Sequence, residues 1–387
     1  MKLLKKLFLP VAAAAVLFSI LPFVSRESLA QKAGAAPPKR ELGIIGDVFS
    51  MTQASYVDEV SSKSLTEGAL TGMMKTLDPY SQFLDARAYE ELKSDTTGEF
   101  AGIGLEVSVK GGILHVISPV DDAPADRAGL KPADVILKID DAVAKELTLS
   151  DAVRKMRGKA GTVVRLTVQR EGEAAPREFS MTREVVKVRG VREAKLLEGG
   201  IGYVRISGFQ ERTAHDFREA VGSLQQQSMK GLIVDVRNNP GGLLYAAVDV
   251  TANFIPEGKT IVSTKGRLAE KNASHVSHNK DPWNIRPLYV LVNKGSASGS
   301  EILAGALQDY GLAVVVGVKT YGKGCIQTLT PLSDGSAVRI TTSRYYTPKG
   351  RLIHEVGISP DVPVSNDPKD AKDLQLEKAI ELAKTSP

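Results

Sequence analysis

The stretch 288–327 constrains the fold more than any other part of this 387-residue chain. It reads LYVLVNKGSASGSEILAGALQDYGLAVVVGVKTYGKGCIQ. Leu288–Val292 and Ala313–Val318 are short apolar runs with the β-branched content of buried strands. Glu301–Tyr310 between them has the apolar spacing of an amphipathic helix, and Gly311 follows as a C-cap. The sequence therefore predicts a strand, a tight turn, a helix and a second strand.

The turn after the first strand carries several serines, of which Ser298 is the most informative. Ser300 followed by Glu301 has the residue types of a helix N-cap. Ser298 lies between Ala297 and Gly299, whose small size would let a substrate backbone come close. A serine on such a turn has backbone N–H groups beside it that can stabilise an oxyanion. The local pattern leaves two roles open for Ser298, a catalytic nucleophile or an ordinary turn serine.

Lys323, in the glycine-rich turn after the second strand, also has two interpretations. Lysine is usually exposed and solvated. It can deprotonate a serine when desolvation lowers its pKa toward neutrality, and the flanking apolar strands could provide that setting. The pattern Gly317-x-x-x-x-Gly322-Lys323 resembles a phosphate-binding loop, but Gly324 stands where that loop has Ser or Thr. A strand-like alternation follows Lys323 instead of a helix, which argues against ATP or GTP binding.

Three segments of this region together resemble one protein family. They are VNKGSASGSEILAGALQD, VVVGVKTYGKGCIQT and LSDGSAVRIT, and they are similar to the carboxyl-terminal processing proteases of peptidase family S41, also called tail-specific proteases. The resemblance implies that Ser298 is the nucleophile and that Lys323, 25 residues later, is the general base. It also implies that Gln327 helps to position the lysine. Gly299, where alanine is commoner, and Cys325 depart from the family pattern without removing a catalytic side chain.

A second motif of the same family lies in residues 231–255, which have the pattern of a buried strand, a turn and a helix. Its turn reads Asp235-x-Arg-Asn-Asn-Pro-Gly241-Gly242. The resemblance implies that either Gly241 or Gly242 donates one oxyanion-hole N–H and that Gly299 donates the other. It does not distinguish between the first two, and a plain strand–helix turn would also use two glycines. For residues 185–366 the resemblance implies a protease core of the crotonase/ClpP-like β-α superhelix type.

Residues 96–184 resemble a PDZ domain of the bacterial type. The run AGLKPADVI at residues 128–136 carries the resemblance, with four strand patterns and a helix pattern over Leu149–Met156. The strand patterns are Gly104–Val109, Ile113–Ser118, Asp134–Ile139 and Val163–Gln169. PDZ domains bind an extended carboxyl terminus by strand addition. The loop Gly102-Ile103-Gly104-Leu105 is expected to hold the carboxylate, because its glycines allow successive N–H groups to converge on an anion.

Two simpler interpretations stay open for this region. The loop from Gly102 to Leu105 could be a plain glycine turn before a strand. Arg157, in the turn Arg-Gly-Lys-Ala-Gly, is a candidate for contacting the protease core or for reporting ligand occupancy. Most turn arginines are simply solvated, and Arg157 could be one of them.

Composition excludes several other classes of function. A formal net charge of +5, with no Lys/Arg run interleaved with aromatic residues, argues against nucleic-acid binding. The single cysteine, Cys325, excludes an intrachain disulfide, and the five histidines form no HExxH motif. No Cys/His cluster indicates zinc, so the sequence predicts no metal and no cofactor.

The amino terminus has the features of an export signal in residues 1–30. Lys2, Lys5 and Lys6 precede the apolar run Leu7–Val24, and Ser28-Leu29-Ala30 offers small residues for cleavage. Residues 31–41 have the composition of a flexible linker. An uncleaved membrane anchor is the alternative to cleavage, because the apolar run is near the lower limit for spanning a bilayer. Both alternatives predict an exported catalytic region, in the periplasm or another extracytoplasmic space.

Residues 42–95 have helical patterns and resemble the amino-terminal helical region of the family. In relatives this region packs on the protease core and often takes part in dimerisation, so a homo-oligomer is expected, either a dimer or a multiple of dimers. A helical cap without a partner is the alternative. The polar segment Ser263–Trp283 is expected to form a loop over the site, and residues 367–387 a terminal helix and tail.

These patterns together predict a multidomain α/β protein that is an exported serine endopeptidase. It would dock flexible carboxyl-terminal tails of protein substrates on the PDZ domain and cleave them with a Ser–Lys dyad. An activating adaptor protein is a further partner that the sequence leaves open. The alternative functions are a non-catalytic PDZ scaffold and a chaperone-like tail-binding protein.

Overall fold

The computed structural model describes residues 39–97, 99–110, 112–120, 122–131, 133–147, 149–187, 189–366 and 372–385. The predicted signal peptide, residues 1–30, and most of the predicted linker therefore lie outside the described residues. Lys39–Glu41, assigned to the linker from the sequence, already form the start of a helix. Within the described ranges, no helix has the length and the hydropathy needed to cross a bilayer.

The chain divides into two units after Ala69, within its second helix. The first unit contains α1 (Lys39–Ser55) and the start of α2 (Ser62–Lys75). The side-chain amide of Gln53 donates a hydrogen bond of 2.8 Å to Ser62 Oγ, which connects the two helices. No side chain of α1 is buried, so this helix exposes its apolar residues.

The second unit begins with the rest of α2, followed by β1 (Gln82–Leu84) and α3 (Ala86–Thr97). The region that resembles a PDZ domain comes next. Its elements are β2 (Glu99–Gly102), β3 (Leu105–Lys110), β4 (Ile113–Pro119), α4 (Pro124–Arg127), β5 (Val135–Ile139), β6 (Ala142–Val143), a 3₁₀ turn (Ala144–Glu146), α5 (Leu149–Met156), β7 (Val163–Gln169), β8 (Arg177–Thr182) and β9 (Glu184–Lys187). The predicted helix and four strands of this region agree with the structure to within one residue at nearly every end.

An antiparallel sheet in the order β3-β4-β5-β7-β8, with β6 beside β5, forms the frame of this region. Inward side chains alternate with outward ones along β4 and β7, as expected for a sheet with one solvated face. Ile136, Ile139 and Leu166 are fully buried, and Ala152 and Met156 of α5 pack onto the same core. A separate pair, β2 with β9, lies where the chain enters and leaves the region.

The remaining chain forms the region that resembles a protease core. Its elements are β10 (Val191–Leu197), β11 (Ile201–Ile206), α6 (Thr213–Gln226), β12 (Gly231–Asp235), α7 (Leu244–Ala252), β13 (Thr260–Gly266), a 3₁₀ turn (Ala269–Lys271), β14 (Ala273–Val276), β15 (Leu288–Val292), α8 (Gly299–Asp309), β16 (Val314–Gly317), β17 (Cys325–Pro331), β18 (Ala337–Tyr346), β19 (Val362–Pro363) and α9 (Leu374–Thr385). Strands and helices alternate from β11 to β13 and again from β15 to β16, which is the pattern of an α/β fold.

A six-stranded sheet in the order β10-β11-β12-β15-β16-β19 lies at the centre of this region. Neighbouring strands in it run parallel, except that β10 and β11 are antiparallel. Every residue of β12 and β15 is buried, because helices cover both faces of the sheet. Val234 and Val290 face the side of α6, α7 and α8, whereas Ile233 and Leu291 face α9. A strand buried on both faces is a continuous apolar run.

A second sheet contains β1-β18-β13-β14, with β17 also paired to β18. The prediction of a loop over Ser263–Trp283 is wrong for part of this segment, because β13 and β14 form an antiparallel pair. β13 also pairs with β18, a partner distant in sequence. That long-range pairing provides hydrogen-bond partners for the backbone N–H and C=O groups of a polar segment that has no strand pattern of its own.

Candidate active site

The turns after β12 and β15 lie side by side, since the carboxyl ends of neighbouring parallel strands meet at one edge of the sheet. Asn293 Oδ1 accepts a hydrogen bond of 2.9 Å from the Asn238 N–H. Ser300 Oγ donates to the carbonyl oxygen of Asn239 at 2.9 Å, and the Ala297 N–H donates to the same oxygen at 3.0 Å. These bonds join the Asn-Asn-Pro-Gly-Gly turn to the serine turn.

Ser298 lies on the serine turn with φ of +53° and ψ of −109°, a combination that L-residues rarely adopt. Such a conformation costs about 1–3 kcal/mol and persists only where the surroundings hold it. Because the chain turns sharply at Ser298, α8 begins at Gly299 and Ser298 occupies the N-cap position. The prediction that Ser300 is the N-cap is therefore wrong. Ser298 is only 8% exposed, so its hydroxyl is largely removed from bulk water.

Glu301 connects the serine turn to the lysine turn. Its Oε2 accepts hydrogen bonds from the backbone N–H groups of Ser298 at 2.8 Å and Lys323 at 2.9 Å. Its Oε1 accepts from the Gly322 N–H at 2.7 Å and from Thr320 Oγ1 at 2.6 Å. Burial raises the pKa of the Glu301 carboxyl, and these four bonds oppose that rise. Since three of the partners can only donate, the arrangement fits the ionised carboxylate.

Gly241 and Gly242 differ in what their N–H groups contact. The Gly241 N–H donates to Asn239 Oδ1 at 2.9 Å. The N–H groups of Gly242 and Gly299 donate to no acceptor among the described residues. For Gly299 this is usual, because the first N–H groups of a helix have no partner within it. Gly241 has φ of +104°, and a Cβ built there would lie 2.7 Å from Ser298 Cβ. Gly241 therefore allows close packing against the serine, and Gly242 presents a free donor.

Lys323 is half-buried beside an aromatic ring. Its Nζ lies 5.4 Å from the centroid of the Tyr80 ring. Burial lowers the pKa of the Lys323 ammonium, and the positive charge of Arg339 lowers it further. The nearby Cys325 and Glu301 raise that pKa without cancelling the burial effect. The structure thus gives Lys323 the direction of pKa shift that a general base needs.

The Ser298 hydroxyl and Lys323 Nζ form no hydrogen bond within the part of the chain that the structure describes. The Ser298 side chain instead lies beside the hydroxyl of Tyr345, whose pKa burial raises well above its ordinary value. The side-chain amide of Gln327 donates to Thr341 Oγ1 at 3.3 Å and does not contact the lysine ammonium. The predicted catalytic residues therefore share one region without direct side-chain contact.

The Gly102–Leu105 loop connects β2 to β3 in the region that resembles a PDZ domain. The carbonyl groups of Ile103 and Gly104 each accept a backbone hydrogen bond of 2.8 Å. Their N–H groups donate to no acceptor among the residues described. Gly104 has φ of +68°, and a Cβ there would lie 2.2 Å from Ala123 Cβ, so this position requires glycine.

A cavity of about 260 Å³ opens beside this loop. Ile103, Gly104, Leu105 and Arg157 line it, whereas Gly102 does not. The Arg157 guanidinium carbon lies 4.6 Å from the centroid of the Phe100 ring, which holds the arginine over the cavity wall. Arg157 is therefore placed at the predicted carboxylate site and is not a purely solvated turn residue.

Among the described residues, one group of side chains could in principle hold a metal ion. His215, Asp216 and Glu219 of α6 have ligand atoms within 4.8 Å of one another. His215 and Glu219 are exposed and belong to successive turns of one helix, an arrangement common on protein surfaces without a metal. We assign no metal site to them.

The sequence did not reveal three residues around this site. Glu301 follows Ser298 in the Ser-x-x-Glu pattern of a capping box, so that pattern could have indicated its bond to the Ser298 N–H. Tyr80 and Tyr345 come from distant parts of the chain, and no local pattern links either one to Lys323 or Ser298.

Comparison with known proteins gives a consistent result. Three family models match the chain, peptidase family S41 over residues 200–364, a PDZ domain over residues 115–170 and the N-terminal domain of the activating protease CtpB over residues 14–88. A carboxy-terminal-processing protease of Bartonella bacilliformis is 40% identical over 329 residues, which cover 84% of this chain and 75% of that protein. The carboxy-terminal processing protease CtpB of Bacillus subtilis is 36% identical over 344 residues, which cover 87% and 71%.

Among solved structures, the photosystem II D1 C-terminal processing protease is 29% identical with a TM-score of 0.53, over 89% of this chain and 98% of that one. Fold and matches together define the class, an α/β protease with a PDZ domain. The chain belongs to the carboxy-terminal processing proteases of peptidase family S41. The predicted family and the predicted mixed α/β architecture, with a helical N-terminal region, a PDZ domain and a protease core, are confirmed. The domain limits and the roles of single residues stay predictions.

Proposed function

We propose that this protease cleaves peptide bonds with a Ser298–Lys323 dyad and selects protein substrates by their flexible carboxyl-terminal tails. One observation carries the proposal. Ser298 is buried in a strained conformation at the N-terminus of α8, with the free N–H groups of Gly242 and Gly299 on the turns beside it. A serine held in this way beside unpaired donors has the geometry of a nucleophile.

In the proposed reaction, neutral Lys323 takes the proton from Ser298 Oγ while the oxygen attacks the substrate carbonyl carbon. The carbonyl oxygen becomes an oxyanion that accepts hydrogen bonds from the Gly242 and Gly299 N–H groups. The tetrahedral intermediate expels the amine, which takes a proton from the Lys323 ammonium. Water, deprotonated by Lys323, then hydrolyses the ester on Ser298.

The proposed dyad requires Lys323 Nζ to come within about 2.6–3.2 Å of Ser298 Oγ. Catalytic hydrogen bonds are often long before substrate binds and tighten in the complex. Gly241 would support the nucleophile by packing against it. Gln327 would position the lysine indirectly, through its hydrogen bonds to Thr341 Oγ1 and Cys325 Sγ.

For tail recognition, we propose that the substrate carboxylate binds the free N–H groups of Ile103 and Gly104 and that Arg157 adds a positive charge. Main-chain donors of this kind capture carboxylates in PDZ domains. The cavity beside the loop, about 260 Å³, has room for the last apolar side chain of a tail.

Export and self-association are also part of the proposal. Residues 1–30 have the composition of an export signal, cleaved or retained as an anchor, which would place the protease in the periplasm or another extracytoplasmic space. The first helix exposes apolar side chains that a second copy could cover, and these are Leu42, Ile44, Ile45, Val48 and Met51. An activating adaptor protein would be a further partner.

The test compares cleavage of a disordered protein with a defined carboxyl terminus by the purified chain and by the S298A and K323A variants. Removing a member of a catalytic unit typically costs about 10⁴–10⁶ in rate, and we expect both variants to lose cleavage to this degree. Lys319→Ala, at an exposed lysine nearby in sequence, serves as the matched control and should cleave normally. Equal cleavage by all variants would exclude the dyad, and tail binding without cleavage by any of them would favour the scaffold or chaperone-like function.

A further inference from the structure

We propose that Tyr80 is a positioning residue for Lys323, with the face of its ring supporting the ammonium that forms when the lysine takes the serine proton. The inference deepens the proposed function and rests on Lys323 being the base. Tyr80 belongs to the region that matches the N-terminal domain of CtpB, so this region would contribute to the active site of the protease core.

The contact between the two residues is the basis of the proposal. Lys323 Nζ lies 5.4 Å from the centroid of the Tyr80 ring, within the range of about 6 Å for cation–π attraction. Lys323 forms no ion pair and its Nζ donates no hydrogen bond within the described ranges of the chain. The ring is thus the group against which the ammonium rests.

The ring itself is held in place by its neighbours. The side chain of Tyr321 lies beside the Tyr80 hydroxyl, and burial together with this neighbour raises the pKa of Tyr80 to about 12. The ring also meets His354 edge-on, with centroids 6.2 Å apart and an angle of 64°. The phenol therefore stays neutral at physiological pH and presents a fixed aromatic face.

The turn that carries Tyr80 is anchored to the protease core. Asp78 Oδ1 accepts hydrogen bonds of 2.8 Å from the N–H groups of Tyr80 and Ser81. Thr341 of β18 donates its N–H to Ser81 Oγ at 3.1 Å and its hydroxyl to Asp78 Oδ1 at 3.2 Å. Thr341 also accepts from Gln327, so the turn and the predicted lysine-positioning glutamine share one hydrogen-bonded chain.

Four groups from different elements act on the charge of Lys323. Arg339 of β18 disfavours the ammonium, whereas Glu301 of α8 and the Cys325 thiol of β17 favour it. The negative face of the Tyr80 ring acts in the same direction as Glu301. Since the lysine becomes an ammonium after deprotonating Ser298, a group that stabilises this charge makes the lysine a stronger base.

The test replaces the ring with an aliphatic side chain. Tyr80→Leu removes the aromatic face, and Tyr80→Phe keeps it while losing the hydroxyl. For Tyr80→Leu, the acid limb of the pH profile of kcat/KM should move to lower pH by about 0.5–1, because the weakened ammonium loses its proton more readily. The plateau should fall about three- to tenfold, whereas Tyr80→Phe should match the parent chain. Tyr89→Leu, which removes the ring under Lys93 on the surface, is the matched control.

A second measurement reports on Lys323 without relying on activity. NMR titration of ¹³C-labelled lysine side chains, with the Lys323 signal assigned from K323A, should show a lower pKa for Lys323 in Tyr80→Leu than in Tyr80→Phe. An unchanged Lys323 titration in Tyr80→Leu, or the same change in both Tyr80 variants, would overturn the role of the ring. Full cleavage by K323A would instead refute the dyad, so the two failures are distinguishable.

Discussion

The serine turn with the Asn-Asn-Pro-Gly-Gly turn beside it presents the free N–H groups of Gly299 and Gly242, and the Gly102–Leu105 loop presents those of Ile103 and Gly104. The two pairs are held in different ways. The serine turn is fixed by buried polar acceptors, chiefly the Glu301 carboxylate and the main-chain carbonyl oxygen of Asn239. The PDZ loop is held by two backbone hydrogen bonds and by the packing of Gly104 against Ala123.

This difference matches the two tasks that we propose. A nucleophile and its oxyanion donors must stay within about 0.5 Å of a productive geometry, which requires neighbours that fix each group. A tail that adds as an extended strand can adjust along its length, so two main-chain donors and an open cavity are enough. Substitutions at the serine turn should therefore lower turnover, and those at the loop should weaken substrate binding.

Outside the proposed dyad itself, the largest effect is expected at Glu301, whose carboxylate bonds both of the turns that carry the dyad. In Glu301→Gln, an amide nitrogen replaces one oxygen and meets either the Gly322 N–H or both the Ser298 and Lys323 N–H groups, so one or two of the four hydrogen bonds are lost. Unsatisfied buried donors cost about 1–3 kcal/mol each, and the resulting misplacement should lower kcat about a hundredfold. Kinetics and urea unfolding would measure both losses, with the exposed Glu257→Gln as control. A kcat close to that of the parent chain would contradict the proposal that the carboxylate holds the two turns together.

Gly241→Ala tests whether the close approach to Ser298 matters beyond backbone strain. The added Cβ would lie 2.7 Å from Ser298 Cβ and should lower kcat about ten- to a hundredfold by displacing the nucleophile. Gly172→Ala is the matched control, because Gly172 has φ of +81° and open space around its Cβ. Equal kcat values for the two variants would show that a Cβ next to Ser298 lowers turnover no more than backbone strain at an open position does.

Gly104→Ala should separate binding from turnover. Its Cβ would clash with Ala123, move the Ile103 and Gly104 N–H groups and raise KM for a tailed protein substrate by about tenfold, equivalent to ~1.4 kcal/mol. Cleavage of a short peptide that does not reach the PDZ domain should be unchanged. Gly112→Ala, in the same region with φ of +77° and no neighbour within 4 Å, should keep the parent KM. A fall in kcat on both substrates would break the proposed division of tasks.

The smallest effect concerns stability at the lysine. The pKa of Lys323 is lowered from its ordinary 10.5, so the folded chain holds this proton less tightly than the unfolded chain. The charged lysine therefore destabilises the folded state fully at a pH below the folded-state pKa. This destabilisation disappears as the pH rises toward the pKa of the unfolded chain. At pH 7, Lys323→Met should abolish activity and raise Tm by about 2–4 °C, as expected for a gain of ~1 kcal/mol. A lower Tm than that of the control Lys319→Met would contradict a buried, disfavoured ammonium.

The central strands could be predicted from the sequence because burial on both faces makes them continuous apolar runs. Leu288–Val292, buried throughout, has the predicted limits. Val163–Gln169 also has the predicted limits, although its buried and exposed residues alternate, and Gly311 has the left-handed φ of +62° expected after the helix. The family motifs also predict that Ser298 lies beside the Gly241–Gly242 turn, and Gly241 packs against Ser298 in the structure. Local periodicity and motif spacing were sufficient wherever the determining contacts are close in sequence.

The remaining features depend on contacts between distant segments. The β13–β14 pair is polar and becomes a hairpin because β18 supplies a ladder partner. The strained φ of Ser298, which moves the N-cap from Ser300, is imposed by the neighbouring turn and by Glu301. Tyr80 and Tyr345 reach the site through the fold of the second sheet, which no local pattern encodes.

The most direct test of the central claim is to identify the residue that becomes acylated. Rapid-quench mass spectrometry during cleavage of a tailed substrate should find the acyl group on the peptide that contains Ser298. We expect this adduct with the parent chain and its absence in S298A, with K323A strongly reduced. Cleavage without an adduct on Ser298, or with an adduct on another side chain, would contradict the proposed dyad.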